Sequence, residues 1–252
     1  MRHAYCGVPS TGPHGAGSLL CSQGIRTCYQ PLEAAYGLTR ACLVVCADYR
    51  NSVGIITKGA LVLRDLDVLT RLNREAWVQV YFSIPFSSDE TARKVEPHAP
   101  SIAKRFEAMQ HLADAGILTG ISIAPVIPGL NDDNIPELLH RARQAGARAA
   151  THALLRLSGS VEAVFLERMK EAFPDRIGKI IGRIREVWGG ALTEGAFFRR
   201  HVGQGVYGDM IEQLFRMAKR KAGFPEEEAG THVNTFRRPG LEQVTMFDQE
   251  GT

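Results

Sequence analysis

The chain has 252 residues, of which 44% are hydrophobic and 23% charged, and a formal net charge of +3. That is the make-up of an ordinary globular protein with one large or two small domains. No stretch approaches the ~18 apolar residues of a membrane span, and the mild positive charge lacks the concentrated basic patch typical of a nucleic-acid binder. The N-terminus shows no charged-then-apolar signal pattern, so the expected location is the cytoplasm. The cysteines are Cys6, Cys21, Cys28, Cys42 and Cys46; an odd count in a reducing compartment argues against a disulfide framework.

Residues 1–27 mix glycine, proline, serine and threonine without an apolar period and predict neither strand nor helix. From Cys28 the character changes. Pro31 opens a helical pattern over 31–50, carried by Leu32, Ala35, Leu38, Ala41 and Leu43 to Val45. Cys42 falls with Leu38 and Val45 on a face expected to be buried. A β-branched run at 53–57 predicts a strand. Leu63, Leu66, Leu69 and Leu72 then predict a helix, and 78–84 the next strand. Ser101, after Pro100, is a good cap for a helix stopping at Gly116.

Residues 119–127 form a third strand. Asn131-Asp132 caps a helix closed by Gly146, and 149–157 is a fourth strand. Strands alternating with helices over short connections predict an α/β parallel sheet, either a (β/α) barrel or an open doubly wound sheet. Beyond it the pattern is helical over 160–188 and 206–222. The chain divides into an irregular 1–27, a βα region 28–158, a helical extension 159–223 and a polar, flexible tail 224–252.

Six segments in order, "CYQPLEAAYGLTRACL", "VGIITKGALVLRDLDVL", "ARKVEPHAPS", "AMQHLADAGI", "IAPVIPGLNDDNIPELL" and "FFRRHVGQGVYGDMI", resemble a bacterial group of radical S-adenosylmethionine proteins related to spore photoproduct lyase. The resemblance implies a partial (β/α)6 TIM-like barrel in which the four strands are strands three to six. It also implies an enzyme that uses S-adenosylmethionine and a [4Fe–4S] cluster to form a 5′-deoxyadenosyl radical. Reactive groups of such barrels sit at the C-terminal strand ends. The resemblance therefore puts the cofactor's methionine end near Lys58 and its ribose near Ser83. The apolar strand Ile121–Ile127, with Pro125 and Ile127 as cofactor-binding residues, is expected to line the adenine. A lysine suits a carboxylate and a hydroxyl suits a ribose. Glu96, in "VEP", is either a substrate-side acid or a surface carboxylate.

The group's C-x3-C-x2-C loop does not occur in this sequence. Cys42-x3-Cys46 has Tyr49 where a third thiolate belongs, and Thr27 stands where the resemblance expects an aspartate. The first strand and cluster loop are thus expected to be missing, through an internal start, a frameshift or gene decay. The metal ligand set is expected to be empty.

In the tail, Gln243, Val244, Thr245, Met246 and Phe247 resemble the short peptide that docks bacterial polymerases and repair proteins on the sliding clamp. There, two apolar anchors fill a pocket while a glutamine orients the peptide. The functional expectation is a photoproduct-lyase-like protein acting near DNA, with DNA and the sliding clamp as partners. Two alternatives are a non-catalytic clamp- or DNA-associated barrel and a Schiff-base lyase using Lys58 as nucleophile.

Overall fold

The computed structural model describes residues 19–21, 28–157, 159–192, 203–225 and 235–237. Five parallel strands form one sheet in sequence order: β1 (Leu19–Cys21), β2 (Val53–Thr57), β3 (Val78–Ser83), β4 (Leu118–Val126) and β5 (Ala149–Leu154). Every neighbouring pair is parallel and consecutive, as in one arc of a (β/α) barrel wound right-handedly. The helices between strands are α1 (Glu33–Tyr36), α2 (Leu38–Asp48), α3 (Leu66–Asn73), α4 (Asp89–Val95), α5 (Ile102–Asp114) and α6 (Ile135–Gln144). After the sheet come α7 (Val161–Ala172), α8 (Ile177–Val187) and α9 (Gly205–Lys221). Among the described residues, no helix is long and apolar enough to cross a membrane.

Three expectations need correction. The segment 1–27, expected to be irregular, contributes β1, whose Leu19 to Cys21 pair with Val53 to Ile55. Three apolar residues are too few to display a period. The helix expected over 31–50 is two helices, because Gly37 adopts φ 60° and closes α1 onto the Glu33 carbonyl. Asn131 and Asp132 also do not cap α6: no side-chain cap bond forms there, and a 3₁₀ turn at Asp132–Asn134 precedes the helix. By contrast, the Ser101 hydroxyl accepts from the Lys104 N–H at 3.4 Å, as the sequence predicts.

The sheet has two unlike faces. In one register row lie Val80, Phe82, Ile121 and Ile123, all fully buried, together with Ala150 and His152. The helices cover this face; the Phe215 ring of α9 lies 4.2 Å from the His152 imidazole. The alternate row carries Gln79, Tyr81, Ser83, Ser122 and Thr151, with Gly54 and Gly120 between them. Small and polar residues share this row with Ile56 and Leu118, so the strands are less apolar on this face than the sequence suggested. Gly120 is required by contact: a Cβ would stand 2.5 Å from the Tyr81 ring and 3.0 Å from the Ala149 carbonyl.

α9 closes the sheet's far end. Gly203 and Gly208 touch backbone to backbone, and a Cβ on Gly203 would meet Leu154 at 2.6 Å and Val187 at 2.7 Å. That contact gives a physical reason for the glycines of "HVGQGVYG". Tyr207 donates to Asp132, the Arg183 guanidinium lies 4.3 Å over the Tyr207 ring, and Arg143 donates to the Gly223 carbonyl at 3.1 Å.

Candidate functional site

The C-terminal strand ends gather a connected set of polar groups. Lys58 follows β2 directly; the backbone N–H after it, of Gly59, is held by the Thr57 hydroxyl at 2.9 Å. The Lys58 ammonium forms an ion pair with Glu96, which caps the end of α4. The other Glu96 oxygen accepts from Arg105 at 3.1 Å. Arg105 lies on α5 and is 1% exposed; it also donates to the Ser83 carbonyl at 2.8 Å and the Pro100 carbonyl at 2.9 Å. Ser83 in turn donates its hydroxyl to the Ala124 carbonyl at 3.1 Å. A single chain of hydrogen bonds thus runs Lys58–Glu96–Arg105–Ser83–Ala124 across the ends of β2, β3 and β4.

The loops beyond β3 and β4 are stapled together by Asn131, which is wholly buried. Its amide donates to the Pro85 carbonyl at 2.6 Å and the Pro125 carbonyl at 3.1 Å, while its oxygen accepts from Ile127 N–H at 2.6 Å. The Ala124–Pro125 bond is cis, and the β4–β5 register shifts between Ile123 and Val126. A bulge of this kind re-aims residues at a strand end.

Behind the loop that carries Lys58 sits a second charged group. Asp65, fully buried, receives Arg64 at 2.9 Å and Arg40 at 3.2 Å, and Arg64 reaches Glu33 at 3.0 Å. Burial alone pushes the Asp65 carboxyl up, but the two guanidiniums outweigh it and hold the group below the usual range. This cluster fixes the 3₁₀ turn at Ala60–Asp65 against α1.

Of the cofactor residues expected from sequence, Lys58 and Ser83 stand at the same rim, tied through Glu96 and Arg105. Lys58 remains 30% exposed on its side chain. Pro125 is half-buried beside them, whereas Ile127 is 1% exposed and faces the core. Glu96 is a nearly buried bridge between two cations. Arg105 escaped the sequence reading, yet its signal was there: a lone arginine on the apolar stripe of Ile102, Phe106 and Met109. Gln243, Val244, Met246 and Phe247 lie outside the described residues.

The cysteines divide differently from expectation. Cys46 is buried, but Cys42 is exposed and so are Leu38 and Val45, so the face expected inside is outside. Leu43, Cys46 and Ala47 form the buried face instead. Cys28 is partly buried against the core.

A parallel half-barrel with polar groups at its C-terminal rim defines a barrel-type ligand site. Residues 11–142, more than half the chain, match the profile of the radical SAM superfamily, and the chain belongs to that superfamily. An uncharacterised protein of Mycobacterium tuberculosis is 29% identical over 162 residues, covering 64% of this chain and 46% of that protein. One from Methanocaldococcus jannaschii is 35% identical over 104 residues, covering 41% and 39%. A solved cysteine-to-alanine variant of spore photoproduct lyase superposes with a TM-score of 0.51 at 17% identity, covering 76% of this chain and 53% of that one. The fold is shared, and the chain spans about half the length of these proteins.

The superfamily implies S-adenosylmethionine and a [4Fe–4S] cluster in intact members. Among the described residues no group of three or more His, Cys, Asp or Glu side chains is placed to hold a metal, and the sequence has no C-x3-C-x2-C. The described residues do not fit the cluster. They do fit the polar end of S-adenosylmethionine: a part-exposed ammonium beside a hydroxyl on the adjoining strand.

Proposed function

We propose that this chain is the S-adenosylmethionine-binding barrel of a spore-photoproduct-lyase-like protein that acts on damaged bases in DNA. The observation that carries the binding reading is the hydrogen-bonded chain from Lys58 to Ala124. It fixes an ammonium and a hydroxyl on neighbouring strand ends, where barrel ligands bind. Lys58 offers its charge to the cofactor's carboxylate, and Glu96 orients it. The Ser83 hydroxyl spends its proton on Ala124 and keeps its lone pairs for a ribose O–H. Half-buried Ala124 and Pro125 supply the flat surface for the adenine. When bound in an intact member, the cofactor supplies the radical chemistry; this chain's residues bind, orient and shield. The DNA assignment rests on kinship with spore photoproduct lyase. The Schiff-base alternative has no structural observation in its favour, since Lys58 stands paired with Glu96.

Equilibrium dialysis with labelled S-adenosylmethionine tests the site. Saturable binding is expected, weakened at least tenfold in Lys58→Met with the melting temperature nearly unchanged. No saturable binding, or equal binding by the variant, sinks the assignment. The DNA half is tested by anisotropy with ultraviolet-irradiated and untreated oligonucleotides, where no preference for irradiated DNA removes it.

A further inference from the structure

α8 lies across the C-terminal ends of β4 and β5. At its start Arg176 donates to the Gly129 and Leu130 carbonyls beyond β4, at 3.1 and 3.4 Å. The stems of Lys179 and Arg183 crowd Gly129, where a Cβ would stand 3.6 and 3.3 Å from them. At the far end the Trp188 indole N–H donates to the Leu155 carbonyl beyond β5 at 3.1 Å. Ile180, Ile184 and Val187 bury the inner face of the helix. Gly178, Lys179, Gly182 and Arg185 are exposed on its outer side, at the end of the sheet that also carries Lys58 and Ser83.

That side is strongly cationic. From Arg176 to Arg185 the chain carries Arg176, Lys179, Arg183 and Arg185 and no carboxylate. Glu186, next along, is taken by Arg183 at 2.7 Å. Lys179 and Arg185 are exposed, and neither side chain meets an acid among the described residues. Arg156 adds a further cation beside Leu155, the residue that Trp188 holds. Its Nε–H is buried without an acceptor among the described residues, and a buried donor of this kind is costly until a ligand supplies the acceptor. Gly178 and Gly182, one turn apart, have nothing within 4 Å of where a Cβ would stand. Neither packing nor a left-handed backbone calls for glycine at these positions, so both weaken the helix without a compensating contact inside the fold. They leave the helix backbone open to close approach between the cations.

We propose that the outer side of α8, together with Arg156, is a track for the phosphodiester backbone of a nucleic-acid strand held beside the strand-end site. The choice of nucleic acid as the anion rests on the DNA reading of that site; the cations and the open helix surface are independent of it. The spacing fits. From Arg176 to Arg183 the helix rises about 10 Å, and one strand of a duplex presents roughly three phosphates over that length. A membrane surface fits less well, because none of the large exposed apolar side chains falls on α8, and a helix lying in a lipid interface needs an apolar face. Phosphate contacts hold and align a strand without reading its sequence. The track therefore positions the strand and leaves recognition of a base to the groups at the ends of β2 to β4.

The test is fluorescence anisotropy of the full chain with a labelled duplex, untreated or ultraviolet-irradiated, over a series of potassium chloride concentrations. The double variant Lys179→Gln, Arg185→Gln is expected to bind about tenfold more weakly at low salt and to flatten the logarithmic salt slope by about 2. Its melting temperature should not move, since both side chains are exposed and unpaired. The double variant Gly178→Ala, Gly182→Ala is expected to melt higher and yet bind more weakly, a combination that a merely structural role does not produce. An unchanged salt slope in the first variant overturns the proposal, as does undiminished affinity in the second, or a full chain that binds no DNA. Tighter binding to polyglutamate or to phosphatidylserine vesicles than to the duplex also overturns it, and assigns the cations to an acidic protein or a membrane. The two DNA samples separate this inference from the reading it rests on. A flattened slope with no preference for irradiated DNA keeps the track and removes the damaged-base reading; a retained preference with an unchanged slope does the reverse.

Discussion

Glu96 receives Lys58 on one carboxylate oxygen and Arg105 on the other, so a single acid couples the exposed rim of the sheet to a guanidinium that is 1% exposed. The two ends of this bridge differ in environment. Lys58 keeps contact with water, where an ion pair contributes little, whereas Arg105 is out of it and depends on its partners. Arg105→Met removes the buried charge and leaves Glu96 with Lys58 alone. It also strips a donor from the Ser83 and Pro100 carbonyls. Breaking a buried pair from one side costs about 3–5 kcal/mol, and a loss of that order is expected in urea unfolding. Lys58→Met, at the exposed end, should cost less than about 1 kcal/mol. Equal losses would show that the bridge does not divide this way.

Acid sensitivity is expected from β5. His152 is enclosed by the Phe215 ring and by Glu212, 3.3 Å away, which also holds Arg216 at 3.4 Å. Burial pushes the imidazole below its ordinary 6.5, and Glu212 only partly opposes this. Because the folded value is depressed, the unfolded chain binds the proton more readily. Stability is therefore full above pH 6.5 and falls as pH drops through and below that value. Melting temperatures at pH 7.5 and 5.5 should differ, and His152→Gln should narrow the difference. The buried carboxylate Asp65 is also depressed, but its stabilisation is lost only below its ordinary value of 3.8, outside this window. An unchanged pH dependence in the variant would place the acid response elsewhere.

The sheet was legible because β2 to β5 are long enough to show their pattern, and Gly116 and Gly146 stop helices where expected, at φ 79° and 85°. β1 was not, for its three residues gain their strand identity only from pairing with Val53 to Ile55. Lys58 and Ser83 could be singled out as strand-end residues. Their link could not, since Glu96 and Arg105 belong to separate helices and meet only after folding. The α2 face failed for a related reason. Apolar residues occupy both sides of that helix, so periodicity alone could not say whether the Leu38–Val45 side or the Leu43–Ala47 side turns inward.

Docking of α9 includes a buried polar contact at its N-terminal turn. Tyr207 is 8% exposed and donates to Asp132, whose other oxygen accepts the Gly129 N–H at 2.8 Å. Burial and the Asp132 charge both push the phenol up, which keeps it a neutral donor. Tyr207→Phe preserves the ring beneath Arg183 but leaves a carboxylate oxygen short of its donor, at a cost of about 1–3 kcal/mol. Amide exchange along α9 should speed up before exchange in β2 to β4. Uniform acceleration across both would mean that α9 and the sheet open as one unit.

The polar face of the sheet depends on Tyr81 lying over Gly120. A methyl group at 120 would sit 2.5 Å from the ring and 3.0 Å from the Ala149 carbonyl. The ring can rotate away but the carbonyl belongs to the next strand, so Gly120→Ala is expected to cost about 1–3 kcal/mol as overpacking. Pairing it with Tyr81→Ala separates the two contacts. If the ring is the main obstacle, the double variant will be less destabilised than the sum of the singles, and the coupling will appear in a double-mutant cycle. If the carbonyl dominates, the costs will add. Labelled S-adenosylmethionine binding by the same variants then has a defined meaning. A displaced Tyr81 alters the face beside Ser83, so Gly120→Ala should weaken binding even at temperatures where the chain stays folded. Unaltered affinity would show that the cofactor does not approach this row of the sheet.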